Sequence, residues 1–436
     1  MADGGGGIID GIGEDLTGAV VPFSGSYSIG PDWRGSATIT ALEGSSTFRL
    51  VMSSTNEGRL IPFDVTAFPM EILFAPETIG TIEKQDPSAF LNSALNGGYA
   101  FMFSGFGENG ALAASGRFTA DGAGGISEGA EDHNDGGVVS VNIPFTGTYS
   151  VGASRRGTAS FTSSLGTSNF AFYVISARKL RFISIDILTP FVFGTAERQE
   201  SASFSNTSFS GNYVLFSNAS GPSSTTFTLG RFTAGGDGSI SSGLLDINNG
   251  GSAFENLPFT ANYTIVANGR GTLTLTNELE TSNFALAMIS PQSAFFIQTD
   301  TTQTSGGRID AQQGTSFTNG SLAGGWALEL AGISIEVTTK IIAKLVGMVA
   351  QANANGAGNL TGKNDLYLND PNGQGTLTLD GAFGGAYTVS SNGRVAASVN
   401  TGAGQIELRG YVAGSKIPLI GVDIFHFVMG AAHRQF

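Results

Sequence analysis

The chain has 436 residues with 64 Gly, 32 Phe, 35 acidic and only 21 basic side chains, no Cys and a formal net charge of −14. That acidity repels phosphate backbones and anionic membrane surfaces, no basic stripe with interleaved aromatics offsets it, and nucleic acid is excluded as a partner. The absence of Cys removes disulfides, thiolate metal sites and cysteine nucleophiles, and Gly with β-branched residues favours short strands and tight turns over helices.

The chain opens at an ADG turn. Ala2-Asp3-Gly4 and Gly7-Ile8 match Ala120-Asp121-Gly122 and Gly125-Ile126 at a shift of 118 residues, and MADGGGG has no features of a signal peptide, so the chain is expected to begin inside a repeat. A shift of 114 residues then carries Arg117-Phe118 to Arg231-Phe232, Pro144-Phe145-Thr146 to Pro258-Phe259-Thr260 and Thr167-Ser168-Asn169-Phe170 to Thr281-Ser282-Asn283-Phe284. One supersecondary unit has been duplicated whole.

Four units follow in order. Residues 1–86 form an incomplete unit lacking its opening strands, with PFSGSYSIG, RGSATIT, STFRLVMSS, RLIPFD and TIEKQ; truncation or an assembly device would both explain the missing strands. Residues 94–200 form a complete unit whose segments from GGYAFMFSGF to GTAERQ read as eight strands, and residues 207–314 repeat them. Residues 319–436 form a diverged unit marked by GGAYTVSSNGR, IPLIGVD and AAHRQF, with an insertion near Gly332 to Leu345. Val337 to Ala350 is interrupted by Lys340 and Lys344 and is too short for a membrane-spanning helix; its β-branched residues predict a long hairpin.

Alternation sets the strand faces. Phe145, Gly147, Tyr149 and Val151 point one way and Thr146, Thr148 and Ser150 the other, as do Phe23, Gly25, Tyr27 and Ile29, and Phe259, Ala261, Tyr263 and Ile265. SNFAFYVIS is apolar on both faces, which predicts a strand covered on both sides and units packed on one another as a rod. The expected fold is all-β: a tandem array of antiparallel meanders, each an eight-stranded up-and-down barrel, with flattened sandwiches as the alternative. The many phenylalanines favour filled interiors over ligand cavities.

The pattern Tyr99-Ala100-Phe101, Gly116 to Gly122, Pro144 to Val151 and Glu197-Arg198-Gln199 resembles a repeat of secreted or lipoprotein-like hypothetical proteins of soil bacteria, over essentially the whole chain. The resemblance implies an extracellular or cell-surface setting and brings no activity, cofactor or binding residue.

Each candidate site has a simpler structural reading. Asp132-His133-Asn134-Asp135-Gly136-Gly137, echoed at Asp246 to Gly251, alternates oxygen ligands before Gly as calcium loops do, but lacks the closing Glu and is read as a hairpin turn; Asn364-Asp365 in the fourth unit lacks the Gly pair. Ala120 to Gly124 lacks the ending of a phosphate loop and is read as a turn. Arg34, Arg156, Arg270 and Arg394 recur, suited to binding a carboxylate or to bracing a loop. His133, His426 and His433 do not recur and no nucleophile motif joins them, while Glu131 and Asp132 should face opposite ways. Trp33 and Trp326 suit either sugar stacking or buried packing. No catalytic, cofactor or metal residue is assigned. The expected role is a non-enzymatic extracellular structural protein, a fibre or surface-layer subunit joined head to tail through sheet edges; the alternative is a binding module for a glycan or small apolar ligand. Self-association is the expected partnership, with a glycan or cell-surface partner as the other.

Overall fold

A computed structural model describes all residues except 1, 15–17, 43, 63–78, 153, 187–189, 222–224, 338–340, 370–374 and 436. Phe63-Asp64 of the expected strand RLIPFD and Phe436 of AAHRQF lie outside the described residues. The first sheet has six strands in sequence order: β1 (Gly7–Glu14), β2 (Val20–Ile29), β3 (Arg34–Ala41), β4 (Gly44–Met52), β5 (Glu57–Pro62) and β6 (Gly80–Glu83). The second is a closed eight-stranded barrel: β7 (Asn96–Phe106), β8 (Ala111–Asp121), β9 (Gly125–Asp135), β10 (Val138–Val151), β11 (Arg156–Ser163), β12 (Gly166–Ser176), β13 (Lys179–Ser184) and β14 (Phe191–Arg198). Two more closed barrels follow, β15–β22 between Ser210 and Ala311 and β23–β30 between Gly324 and Arg434. Within each sheet, strands that follow one another in the chain pair antiparallel, and in each barrel the last strand returns to the first, as Glu197 pairs with Ala100 and Ile309 with Leu215. Closure leaves these barrels without edges. The predicted long hairpin is present, with β23 (Gly324–Val337) and β24 (Ile341–Ala354) paired along their lengths.

The alternation read in PFTGTYSVG is realised: Phe145 and Tyr149 are buried, Thr146, Thr148 and Ser150 exposed. Each barrel is plugged at one end by a short 3-10 turn entering from the preceding linker. Asn92, Asn206 and Asn319 each accept a hydrogen bond through Oδ1 from a strand N–H, those of Val151, Ile265 and Val389. The hydroxyls of Tyr149, Tyr263 and Tyr387 donate to carbonyls of the same turns. The buried backbone of the plug is thereby satisfied.

The four units do not form an open rod. Units one and two, two and three, and three and four are in contact, and the fourth also packs on the first: Val51 and Ile61 share an apolar cluster with Ala327, Val349 and Tyr367. The array is a closed cycle.

Candidate functional site

The recurring arginines are the joints of this cycle. Each crosses to an acid of the preceding unit: Arg156 to Glu14, Arg270 to Asp132, Arg394 to Asp246 at 2.6 Å, and Arg34 of the first unit to Asp365 of the fourth. Asp246 and Asp365 are fully buried and Asp132 nearly so, which makes the guanidinium the compensation for their desolvation. Three of the acids are also held by a bulge in the neighbouring strand: Asn142, Asn256 and Asp380, all at positive φ, donate their N–H groups to Asp132, Asp246 and Asp365 at 2.8, 3.0 and 3.0 Å. Of the two roles open to these arginines, the structure places them on carboxylates that belong to neighbouring units of the same chain.

A second set of contacts repeats with the same period. Gln85, Gln199, Gln312 and Gln435 each donate from Nε2 to a carbonyl of the next unit, those of Val174, Met288, Val412 and Met52. The outer face of SNFAFYVIS is covered as expected, since the Tyr173 hydroxyl donates to Glu14 and the Val174 and Ile175 carbonyls receive the Gln85 side chain and the Asp86 N–H.

The calcium-like segment is absorbed by the same joint. Gly136 and Gly137 take φ of +59° and +94°, values that favour glycine, and form the turn. Asn134 accepts from Gly137 N–H and donates to the carbonyls of Gln298, Asp300 and Gln303, while Asn248 accepts from Gly251 N–H and donates to that of Gly421. Of the oxygens in the segment, those of Asp132 face Arg270 of the third unit, Asn134 Oδ1 accepts from Thr304 Oγ1 as well as from its own turn, and those of Asp135 accept from Asn109 within the second unit. Asp121 at the ADG turn accepts from the N–H groups of Ala123, Gly124 and Gly125, and these bonds hold its carboxyl below the ordinary range.

The remaining single candidates are scattered. His426 pairs with Asp423 at 2.8 Å, which raises its pKa against the effect of burial; His433 lies against Arg59 and Glu329 and is lowered, chiefly by burial; burial also lowers His133. Asp132 faces the joint while Glu131, on the opposite face of β9, is pushed up to about 7 by burial and by the Asp132 charge. Trp326 is core: its Nε1 donates to the Leu322 carbonyl and Arg434 stacks on its ring. Trp33 sits half-buried at a turn with φ +65°.

The barrel interiors differ. In the second unit Phe103, Phe145, Phe161, Phe170 and Phe182 pack against one another, with Phe145 and Phe161 stacked at 5.0 Å and Phe103 and Phe170 tilted at 5.2 Å. In the third unit the shift of 114 residues replaces Phe101, Phe103 and Phe161 by Leu215, Ser217 and Leu275, and Leu112 and Ala114 by Thr226 and Thr228. The strands hold their register, so the lost ring volume is left as a cavity of about 230 Å³. Leu215, Leu245, Leu273, Leu275 and Phe296 line it together with the hydroxyl residues Ser217, Thr228, Ser282 and Ser305 and the polar Glu280 and Gln298. Leu279 and Phe254, also lining it, are exposed. The expectation that phenylalanine fills every interior is corrected here, because the third barrel carries the smaller side chains at the positions that matter. Comparing inward-facing positions between copies in the sequence is the signal that would have found it.

No protein-family model matches the chain, and neither does any curated protein. Among solved structures, transferrin binding protein B of serogroup B Neisseria meningitidis is 10% identical, covers 87% of this chain and 83% of its own, and superposes with a TM-score of 0.23. A double mutant of the same antigen from Haemophilus parasuis gives 12%, 88%, 84% and 0.21, and kievitone hydratase from Nectria haematococca gives 8%, 52%, 95% and 0.17. Superpositions at these scores carry no argument about the role of this chain.

Proposed function

We propose that the chain is a non-enzymatic binding module, extracellular or at the cell surface, that holds one small molecule in its third barrel. The observation that carries this reading is the cavity left where Leu215, Ser217 and Leu275 replace the phenylalanines of the second barrel. Its volume exceeds the roughly 150 Å³ of an apolar cavity known to admit benzene. A mainly apolar lining with a few hydroxyl and amide groups suits a ligand with a compact apolar body and a hydrogen-bonding group. The extracellular setting rests on the resemblance of the repeat to secreted or lipoprotein-like proteins. Titration with phenol and 1-hexanol tests the reading by calorimetry: one site per chain is expected in the native protein, and none in Leu275→Phe, which restores the ring of the second unit. Failure of both probes to bind at millimolar concentration, or equal binding by Leu275→Phe, would overturn it.

The second reading, a structural subunit of a fibre or surface layer, draws on β1 and β6 standing at the two ends of a sheet that, among the described residues, does not close into a barrel. The four Arg-to-acid joints give it no free surface, since all four are made within one chain.

A further inference from the structure

Five polar residues that line the cavity of the third barrel are buried: Ser217, Thr226, Ser282, Gln298 and Ser305. Thr226 is satisfied, since its hydroxyl donates to Asn249 Oδ1 at 3.2 Å. The other four stand on successive strands: Ser282 on β20 (Thr281–Ser290), Gln298 at the end of β21 (Ser293–Gln298), Ser305 on β22 (Thr304–Ala311) and Ser217 on β15 (Ser210–Ser220), onto which β22 closes. Among the described residues the three serine hydroxyls make no hydrogen bond, and Gln298 commits its Nε2 to Asp300 at 3.2 Å, which leaves its Oε1 as an unpaired acceptor. Buried polar groups without a protein partner call for one from elsewhere.

This arc is particular to the third copy. At the shift of 114 Ser217 takes the place of Phe103, and Ser305, paired with Ala219, takes that of Val192, paired with Gly105. Glu280, in the turn that leads into β20, stands where the second barrel has Gly166, and it lines the cavity from an exposed position. All of this lies away from the plug. The 3-10 turn Asn206–Ser208 enters at the start of β15, whereas Ser305 follows Thr304, which pairs with Ser220 at the far end of that strand.

The charge of the site has one sign. No Lys, Arg or His is among the described residues that line it, and the whole chain carries −14. A carboxylate or phosphate head would sit near Glu280 with no counter-charge. An ammonium group brings three N–H donors and a positive charge to acceptors that have neither. We infer that the third barrel takes a primary amine in its ammonium form, with its hydrocarbon body among the leucines and its head at the three serines, Gln298 and Glu280. This rests on the reading of the barrel as a binding site and names the class of its ligand.

The test compares three probes of one chain length, hexylamine, 1-hexanol and hexanoate, by calorimetry on the full chain at pH 7, where the amine is protonated. Hexylamine is expected at one site per chain with an affinity about tenfold above that of 1-hexanol, as one hydrogen bond to a charged group would give. Hexanoate is expected not to bind. Glu280→Gln removes a charge from an exposed turn and should narrow the ratio of the amine and alcohol affinities about threefold. Ser305→Val, which restores the residue of the second barrel, should narrow it as well. An affinity for 1-hexanol that equals or exceeds that for hexylamine, binding of hexanoate, or a ratio that neither variant changes would overturn the inference and leave the cavity as a binding site. Binding of none of the three at millimolar concentration would overturn the binding reading and the inference together.

Discussion

The second and third barrels have the same strand order, the same plug and the same Arg joints, yet one is packed solid and the other holds a cavity of about 230 Å³. What separates them is a handful of inward-facing side chains, with Phe101, Phe103 and Phe161 on one side and Leu215, Ser217 and Leu275 on the other. The backbone of a closed barrel is held by its hydrogen-bond ladder and does not collapse to follow the loss of ring volume. Contents and container are separately encoded in this repeat.

The comparison breaks most visibly under truncation. Phe161→Ala in the second barrel should cost about 4 kcal/mol, because it opens a new cavity among stacked rings, while Leu275→Ala beside an existing cavity should cost about 2 kcal/mol. Urea unfolding of the two variants checks the difference, and equal costs would mean that the interiors are not distinct. Around the outside the barrels should behave alike. Arg270→Ala and Arg394→Ala each strand a buried acid, Asp132 and Asp246, and both should lose about 3 kcal/mol by the same measurement.

A smaller effect separates the interiors by pH. Glu131 in the second barrel occupies the position of Leu245 in the third, and its pKa is raised to about 7 by burial and the Asp132 charge. A carboxyl raised on folding contributes stability that is complete below its unfolded pKa of about 4.3 and is lost as pH rises through 7. Glu131→Leu should therefore gain on the order of 2 kcal/mol at pH 8 relative to pH 4, read as a flattened pH profile of the unfolding midpoint. Smallest is the converse packing change, in which Leu275→Phe fills the third barrel and adds about 1 kcal/mol of stability while abolishing uptake of phenol.

Much of this architecture was legible in the residues. The shift of 114 marks out the unit, and the alternation about Phe145 and Tyr149 and the Asp-Gly turns, which are properties of neighbouring residues, predict its closed meander. The cycle was not legible. Arg34 recurs with Arg156, Arg270 and Arg394, but its partner Asp365 lies 331 positions away, and no periodicity states how far each unit rotates relative to the last. The segment at Asp132 is legible as a hairpin turn, but its counter-charge, Arg270, comes from the next unit and is not. The cavity was hidden differently. The third unit keeps nine phenylalanines against eleven in the second, so composition does not separate them, and only a position-by-position comparison of copies shows that rings are missing at inward positions such as 215, 217 and 275.

The contact of Val51 and Ile61 with Ala327, Val349 and Tyr367 has a consequence for the order in which the molecule forms. Barrels two, three and four each carry a core of their own and can close on contacts within about a hundred residues. The first unit cannot, because the surface that covers its outer strands is made more than 250 positions later in the chain. During synthesis it emerges before the three barrels and becomes stable after them, and until the fourth barrel docks, the outer apolar face at Val51 and Ile61 is the stretch most in need of protection from aggregation.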